Sequence, residues 1–337
     1  MPPILVIQNT RCHFETTLSV YQLLLDAGYT PYIYQCYQED DIFQQVDFLR
    51  RFNIAAATPA ILSSAAAGIV VTAYPHTGPI TERTLPNWAD PIIQALWRAN
   101  KLLFISHRFG AAAEYQNPDS PLSLANSLCL SPLAQKIGAD FVLFMSTPIA
   151  PKTVRFGKPL MVTIQAHFTK QFRAFQQVIS RADMWRPESI ILQCVGNRAA
   201  GLKTDPATAH PCIDAYANVS ETEFYSIVNS RTHFIAPLID PDICNATYSR
   251  ERYSSNFNMA WAFEKPVFCH EWFRDVYGLP GIYYTYDNLA EKHRELVTLT
   301  ADDYTNLLRA FKEKKAQQQQ ANVLTIQRRL QPILTRN

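Results

Sequence analysis

At 337 residues, 47% of them hydrophobic and 18% charged, the chain is sized for two domains of roughly 150 residues, each able to bury its own core. That balance excludes bulk disorder, which needs low hydrophobicity and high net charge. A net charge of +2 excludes the broad basic surface of a nucleic-acid binder and leaves only local basic sites, suited to a small anionic ligand.

The first half alternates between short apolar runs and amphipathic stretches. Ile4 to Gln8, bounded by Asn9-Thr10, reads as a buried strand. Glu15 to Ala27 carries Leu18, Tyr21, Gln22 and Leu25 at helical spacing, with Gly28 where a helix-ending glycine belongs. Thr30 to Gln35 is rich in aromatic and β-branched residues and predicts a strand, and Asp41 to Phe52 predicts a helix. Further strands are expected at Ile69 to Ala73, Leu102 to Ser106 and Phe141 to Met145, with a helix at Asp90 to Asn100. Alternation of this kind predicts a parallel sheet covered by helices.

Pro148, Pro151 and Pro159 punctuate a candidate linker, and the pattern then restarts. Strand Leu160 to Gln165, helix Lys170 to Ala182 and strand Ile190 to Val195 follow one another. Ser220 with Glu223 forms a capping box before helix Glu221 to Asn229. His233 to Leu238 predicts a strand, Asn256 to Phe263 a helix, and Val267 to Cys269 and Ile282 to Tyr286 two more strands. The tail from Ala301 to Leu330 reads as mainly helical, with Gln317 to Gln320 on a solvated face.

The start, MPPILVIQNTRCHF, lacks the charged region and cleavage site of a secretory signal, and no run of about eighteen apolar residues predicts a membrane span. Seven cysteines, an odd number without a CxxC pair, argue against a disulfide framework and a zinc site. A reducing, cytoplasmic setting is the expectation.

Ligands of open parallel sheets bind beyond the carboxyl ends of the strands, so the residues that follow each strand are the candidates. In the first half, His13 and Glu15 stand at the first strand-to-helix turn, where either could act as a general base or hold a sugar hydroxyl. Glu15 could equally serve only to complement the helix dipole. Tyr74, His76 and His107 follow later strands on the same edge and are candidate acceptor contacts. No Gly-x-Gly-x-x-Gly follows the first strand, which argues against a nicotinamide or flavin. No P-loop or HExxH is present either, so no metal is expected.

In the second half, Thr169, Lys170 and Arg173 open the helix after Leu160 to Gln165. Backbone N–H groups at a helix start, with Lys and Arg beside them, suit a diphosphate. Gly196 follows the next strand. Tyr248 and Arg252 precede Ser254-Ser255-Asn256, which opens the helix Asn256 to Phe263 and could hold phosphate oxygens in the same way.

The segment ERYSSNFNMAWAFEKPVF, Glu251 to Phe268, resembles the donor-site motif of GT-B glycosyltransferases, in which a glutamate and a small-residue helix start precede a Pro-Val strand. Glu251 matches the first glutamate, whose role lies near the donor sugar, and Met259 stands where retaining members carry a second, ribose-holding one. VTIQAHFTKQFRAF resembles the strand-loop-helix with basic diphosphate contacts, which gives that role to Lys170 and Arg173. FYSIVNSRTHFIAPLID resembles the approach to the donor loop, and CHFETTLSVYQLLLDAGYTPYIYQ the acceptor-facing strand-loop-helix.

The resemblance implies a GT-B-like α/β fold of two Rossmann-like domains facing across a cleft, with C-terminal helices. Residues 1–150 would bind the acceptor, 151–300 the nucleotide sugar, and 301–337 form helices long enough to cross back to the N-terminal domain. It implies a metal-independent transferase with His13, Glu15 and Glu251 catalytic, a nucleotide-diphosphate sugar as co-substrate, and a glycan or other hydroxyl acceptor. A nucleotide-sugar epimerase or hydrolase on the same fold, or a non-catalytic nucleotide- or carbohydrate-binding subunit, are the alternatives.

Overall fold

The computed structural model describes residues 2–10, 14–36, 42–74, 80–106, 122–124, 126–142, 147–165, 185–196, 199–204, 209–238 and 254–335. The chain divides into two compact units, the first built from Met1–Ile149 with Gln317–Asn337, the second from Ala150–Ser249 with Ser254–Ala316.

The first unit holds β1 (Pro3–Gln8), α1 (Phe14–Asp26), β2 (Thr30–Gln35), α2 (Ile42–Arg51), α3 (Pro59–Ser64), β3 (Ala67–Ala73), α4 (Pro91–Arg98), β4 (Leu102–Ser106) and β5 (Ser127–Cys129). The five strands form one sheet in the order β2-β1-β3-β4-β5, every pairing parallel. Ile4 to Ile7 and the whole of β3 are buried, as expected of central strands covered on both faces.

The fifth strand corrects an expectation. It is Ser127–Cys129, and Phe141 makes only an isolated bridge to Cys129 where a strand from Phe141 to Met145 was predicted. Residues 143–146 lie outside the described part. A three-residue strand with two small polar-capable residues carries no apolar run to announce it.

The second unit holds β6 (Leu160–Gln165), β7 (Ile190–Val195), α5 (Gly201–Thr204), β8 (Ile213–Tyr216), α6 (Glu221–Ser230), β9 (Phe234–Ile235), α7 (Ser255–Phe263), β10 (Val267–His270), α8 (Trp272–Tyr277), β11 (Gly281–Tyr284) and α9 (Leu289–Thr298). A last helix, α10 (Ala301–Leu334), supplies its first residues to this unit and its remainder to the first. The sheet order is β11-β10-β9-β6-β7-β8, again all parallel. Counted within the unit this is 3-2-1-4-5-6 read from its other edge, the dinucleotide-fold order, whose direction reverses between β6 and β9.

β9 is shorter than the predicted His233 to Leu238. Ala236 still donates to Thr163 O, but Pro237 has no N–H to continue the ladder, and Leu238 turns into the left-handed region at φ 47°. The predicted helix Lys170 to Ala182 lies outside the described residues.

The proline-punctuated stretch read as a linker is fixed to the second unit once past Ile149. Asn229 Nδ2 donates to Ala150 O at 3.0 Å, and Lys152 N–H donates to Asn229 Oδ1 at 2.7 Å. His233 Nδ1 accepts from Met161 N–H at 3.0 Å, so its proton sits on Nε2, 3.1 Å from Arg155 O. Burial first, then Lys265 and Lys158, push the His233 pKa below its ordinary value, against the pull of Arg155 O. Lys265 is 1% exposed and donates from Nζ to Lys152 O at 2.8 Å and Asn229 O at 3.0 Å. Three buried side chains thus hold one extended segment.

Candidate donor site at the carboxyl edge of the second sheet

α7 begins because Ser254 caps it, its hydroxyl accepting from Asn256 N–H at 3.4 Å. From Asn256 to Phe263 every residue is buried, so the helix is apolar nearly all round and must lie inside the unit. Glu264 ends it in the left-handed conformation at φ 56°, and Pro266 cannot continue it. Lys315 on α10 holds Glu264 at 3.2 Å and also donates to Ala262 O. α7 packs against β9 and β6, the two strands that flank the reversal of order.

One side chain fixes where the helix starts. Asn256 Oδ1 accepts from Gln165 N–H at 3.1 Å, and its Nδ2 donates to Gln165 O at 2.9 Å. The amide therefore pairs with the last residue of β6 as a neighbouring strand would. Nδ2 also donates to Ser254 Oγ at 3.2 Å, and Ser255 Oγ donates to Gln165 Oε1 at 3.3 Å. The positive end of a buried nine-residue helix is thereby held at the carboxyl end of the first strand, at the topological switch point.

Of the other predicted donor contacts, Gly196 follows β7 and adopts φ 141°, a conformation that glycine takes without strain. Its N–H donates to Tyr216 O at 3.0 Å, so its place is a turn one strand away from the switch point. Thr169, Lys170, Arg173, Tyr248, Glu251 and Arg252 lie outside the described residues. Met259 is buried in the core face of α7 and its thioether offers no carboxylate to a ribose.

The first unit has a comparable edge. Glu15 stands half-buried in the first turn of α1, and Tyr74 follows β3, its N–H donating to Thr84 O at 2.9 Å. His13, His76 and His107 lie outside the described residues. Between β1 and β3, Asn9 Oδ1 accepts from Thr72 N–H at 3.0 Å while Nδ2 donates to Thr72 O at 2.7 Å and Pro86 O at 3.0 Å. Asp90 caps α4 and accepts from Tyr34 Oη at 2.7 Å. Burial, then Asp90, pushes the Cys36 thiol up to about 12, so it stays protonated and is no nucleophile at neutral pH.

Three features escaped sequence reasoning. Gln165 pairs with a residue 91 positions away, which no local pattern reveals. His270 ends β10 on the same carboxyl edge, its Nδ1 accepting from Trp272 N–H at 3.3 Å. The third was visible: Asp240-Pro241-Asp242 is an Asp-x-Asp triplet, and it lies outside the described residues. Among the described residues there is no cluster of three or more His, Cys, Asp or Glu placed to hold a metal, and no helix long and apolar enough to cross a membrane.

No protein-family model matches the sequence, and no curated protein sequence does. Solved structures do match. The HepE protein of Anabaena, solved with UDP-glucose, is 8% identical with a TM-score of 0.55, covering 99% of this chain and 98% of its own. The fold is GT-B. HepE solved with UDP and glucose gives a TM-score of 0.54 at 9% identity, covering 99% of this chain and 100% of that one. An alpha-glucosyltransferase solved with UDP and a 13-mer DNA containing an HMU base gives 0.52 at 9% identity, covering 94% of each chain. At such identities the GT-B likeness concerns the arrangement of the backbone alone.

Proposed function

We propose that the chain is a glycosyltransferase that moves a sugar from a nucleoside-diphosphate sugar to a hydroxyl acceptor. The observation that carries the reading is the start of α7 held on Gln165 at the switch point of the second sheet. The GT-B fold shared with HepE, solved with UDP-glucose, supports it.

A nucleoside diphosphate leaves as a polyanion, and the barrier falls when charge developing on it meets preorganised donors. The Ser255 N–H and the Ser254 hydroxyl supply dipoles there, and Lys170, Arg173 and Arg252 supply charge, with Tyr248 as a further donor-binding residue. Glu251 acts near the donor sugar. His13 or Glu15 takes the acceptor proton as general base, and Tyr74, His76 and His107 position the acceptor. In this reading no metal is required.

A thermal-shift panel of nucleoside diphosphates and their sugars tests the proposal. At about 100 times Kd the bound nucleotide contributes roughly 2.7 kcal/mol, which raises the melting temperature by about 5–10 °C. No response to any member of the panel contradicts the transferase. Turnover that a chelator leaves unchanged is expected, and turnover abolished by it would transfer the charge-stabilising role to Asp240 and Asp242 with a bound cation. Donor consumed equally fast without any acceptor would make the enzyme a hydrolase or epimerase.

A further inference from the structure

The outer side of β2 carries a concavity that the proposed reaction does not use. Residues 54–57 run beside this edge strand and pair with it only at Ile33, whose N–H donates to Ala55 O at 2.9 Å and whose carbonyl accepts from Ala57 N–H at 2.8 Å. The ladder stops there for a local reason. Thr58 caps α3, its hydroxyl accepting from Ile61 N–H, and Pro59 has no N–H to offer the next pairing position. The chain turns away from β2 and a wedge opens beyond Ile33.

The wedge is a cavity of about 540 Å³, within the range of small-molecule sites. Leu49, Ile54 and Leu62 give it an apolar floor, and Arg50 and Asn53 bring a guanidinium and an amide to its rim, while the Gln35 amide donates to Gln8 Oε1 at 3.0 Å. Arg50 is paired with Asp47 at 3.3 Å, and both side chains are more than three-quarters exposed, so the rim carries little net charge. A phosphate would find one screened cation there, and a purely apolar ligand would bury the Asn53 amide without a partner. A planar amide and a planar guanidinium above an apolar floor suit a neutral ligand with adjacent hydroxyls on one face and C–H groups on the other.

We propose that this cavity is a saccharide-binding subsite of the first unit, separate from the nucleotide-sugar site of the second. It concerns saccharide recognition alone and stands whether or not the second unit transfers sugar.

The test uses the full chain with maltotetraose, cellotetraose and chitotetraose, read by saturation-transfer NMR and by titration. The double variant Arg50→Met, Asn53→Gly removes both rim groups while keeping the stem of Arg50. Glycine adopts the φ of 53° at position 53 without strain. A second variant, Ala56→Trp, fills the cavity from an exposed position. At least one of the three saccharides should bind the wild type, and each variant should weaken that binding at least tenfold while the UDP-induced rise in melting temperature stays as in the wild type. Failure of all three saccharides to bind the wild type overturns the subsite, and so does unchanged affinity in the Ala56→Trp protein. Loss of the UDP response alone would count against the transferase and not against the subsite.

Discussion

Replacing Lys265 by alanine should lower the melting temperature by about 6–12 °C, the equivalent of roughly 3 kcal/mol in a unit of this size. Three effects compete. The ammonium is almost completely buried without a close carboxylate, so its presence is itself costly, and removing it relieves that cost. Against this, Lys152 O and Asn229 O both lose their donor, at about 1–3 kcal/mol each, and the aliphatic stem leaves a cavity. The two losses outweigh the relief. Lys265→Met keeps the volume and should fall by about half as much.

The same residue gives a pH signature. Burial lowers its pKa from 10.5 to about 8, with Glu264 pulling weakly the other way. Between these values the unfolded chain binds more protons than the folded one, so stability from this group rises with pH through that window. The gain, roughly 3 kcal/mol, is complete above the unfolded pKa and lost as pH falls through the folded one. Chemical denaturation of wild type and Lys265→Met from neutral to alkaline pH isolates it, because every other titrating group is common to both. Parallel profiles would show that Lys265 does not change its charge in that range.

Asn256→Ala should cost about 2–4 kcal/mol of stability and weaken nucleoside-diphosphate binding at least tenfold. The stability loss follows from leaving the half-buried N–H and carbonyl of Gln165 without the amide that pairs with both. The affinity loss follows from the freedom then allowed to the start of α7, since preorganised donors lose value once they must be ordered on binding. Asn256→Asp separates the two effects. It retains an acceptor for Gln165 N–H but places an anion beside the phosphates, so affinity should fall further than stability. Denaturant titration and calorimetric titration with UDP read the two losses, and a variant that loses stability while binding UDP as the wild type does would detach Asn256 from the ligand site.

The alternation of strands and helices was legible because the central strands are continuous apolar runs: Ile4 to Ile7 and the length of β3 are buried on both faces. Two of the four edge strands, β5 and β8, were not. β8 reads Ile-Asp-Ala-Tyr with only its first residue buried, so the sequence carries neither an apolar run nor a clean alternation there. α9 and α8 were missed for a related reason, their exposed faces being dense in charge. Within the site, the serine cap and the start of α7 could be read because capping is local chemistry. The pairing of Asn256 with Gln165 could not, because only the folded topology brings together residues from two distant segments. Leu238 gave no warning either: a buried leucine in the left-handed region three residues past β9 is a conformation that its residue type disfavours.

A crystal structure of the protein with UDP tests the central claim most directly. The account predicts the diphosphate beyond the carboxyl end of β6, its oxygens within hydrogen-bond distance of the Ser255 backbone N–H at the start of α7. A diphosphate bound instead on the first unit, or at the amino edge of the second sheet beside His233 and Lys265, would contradict it.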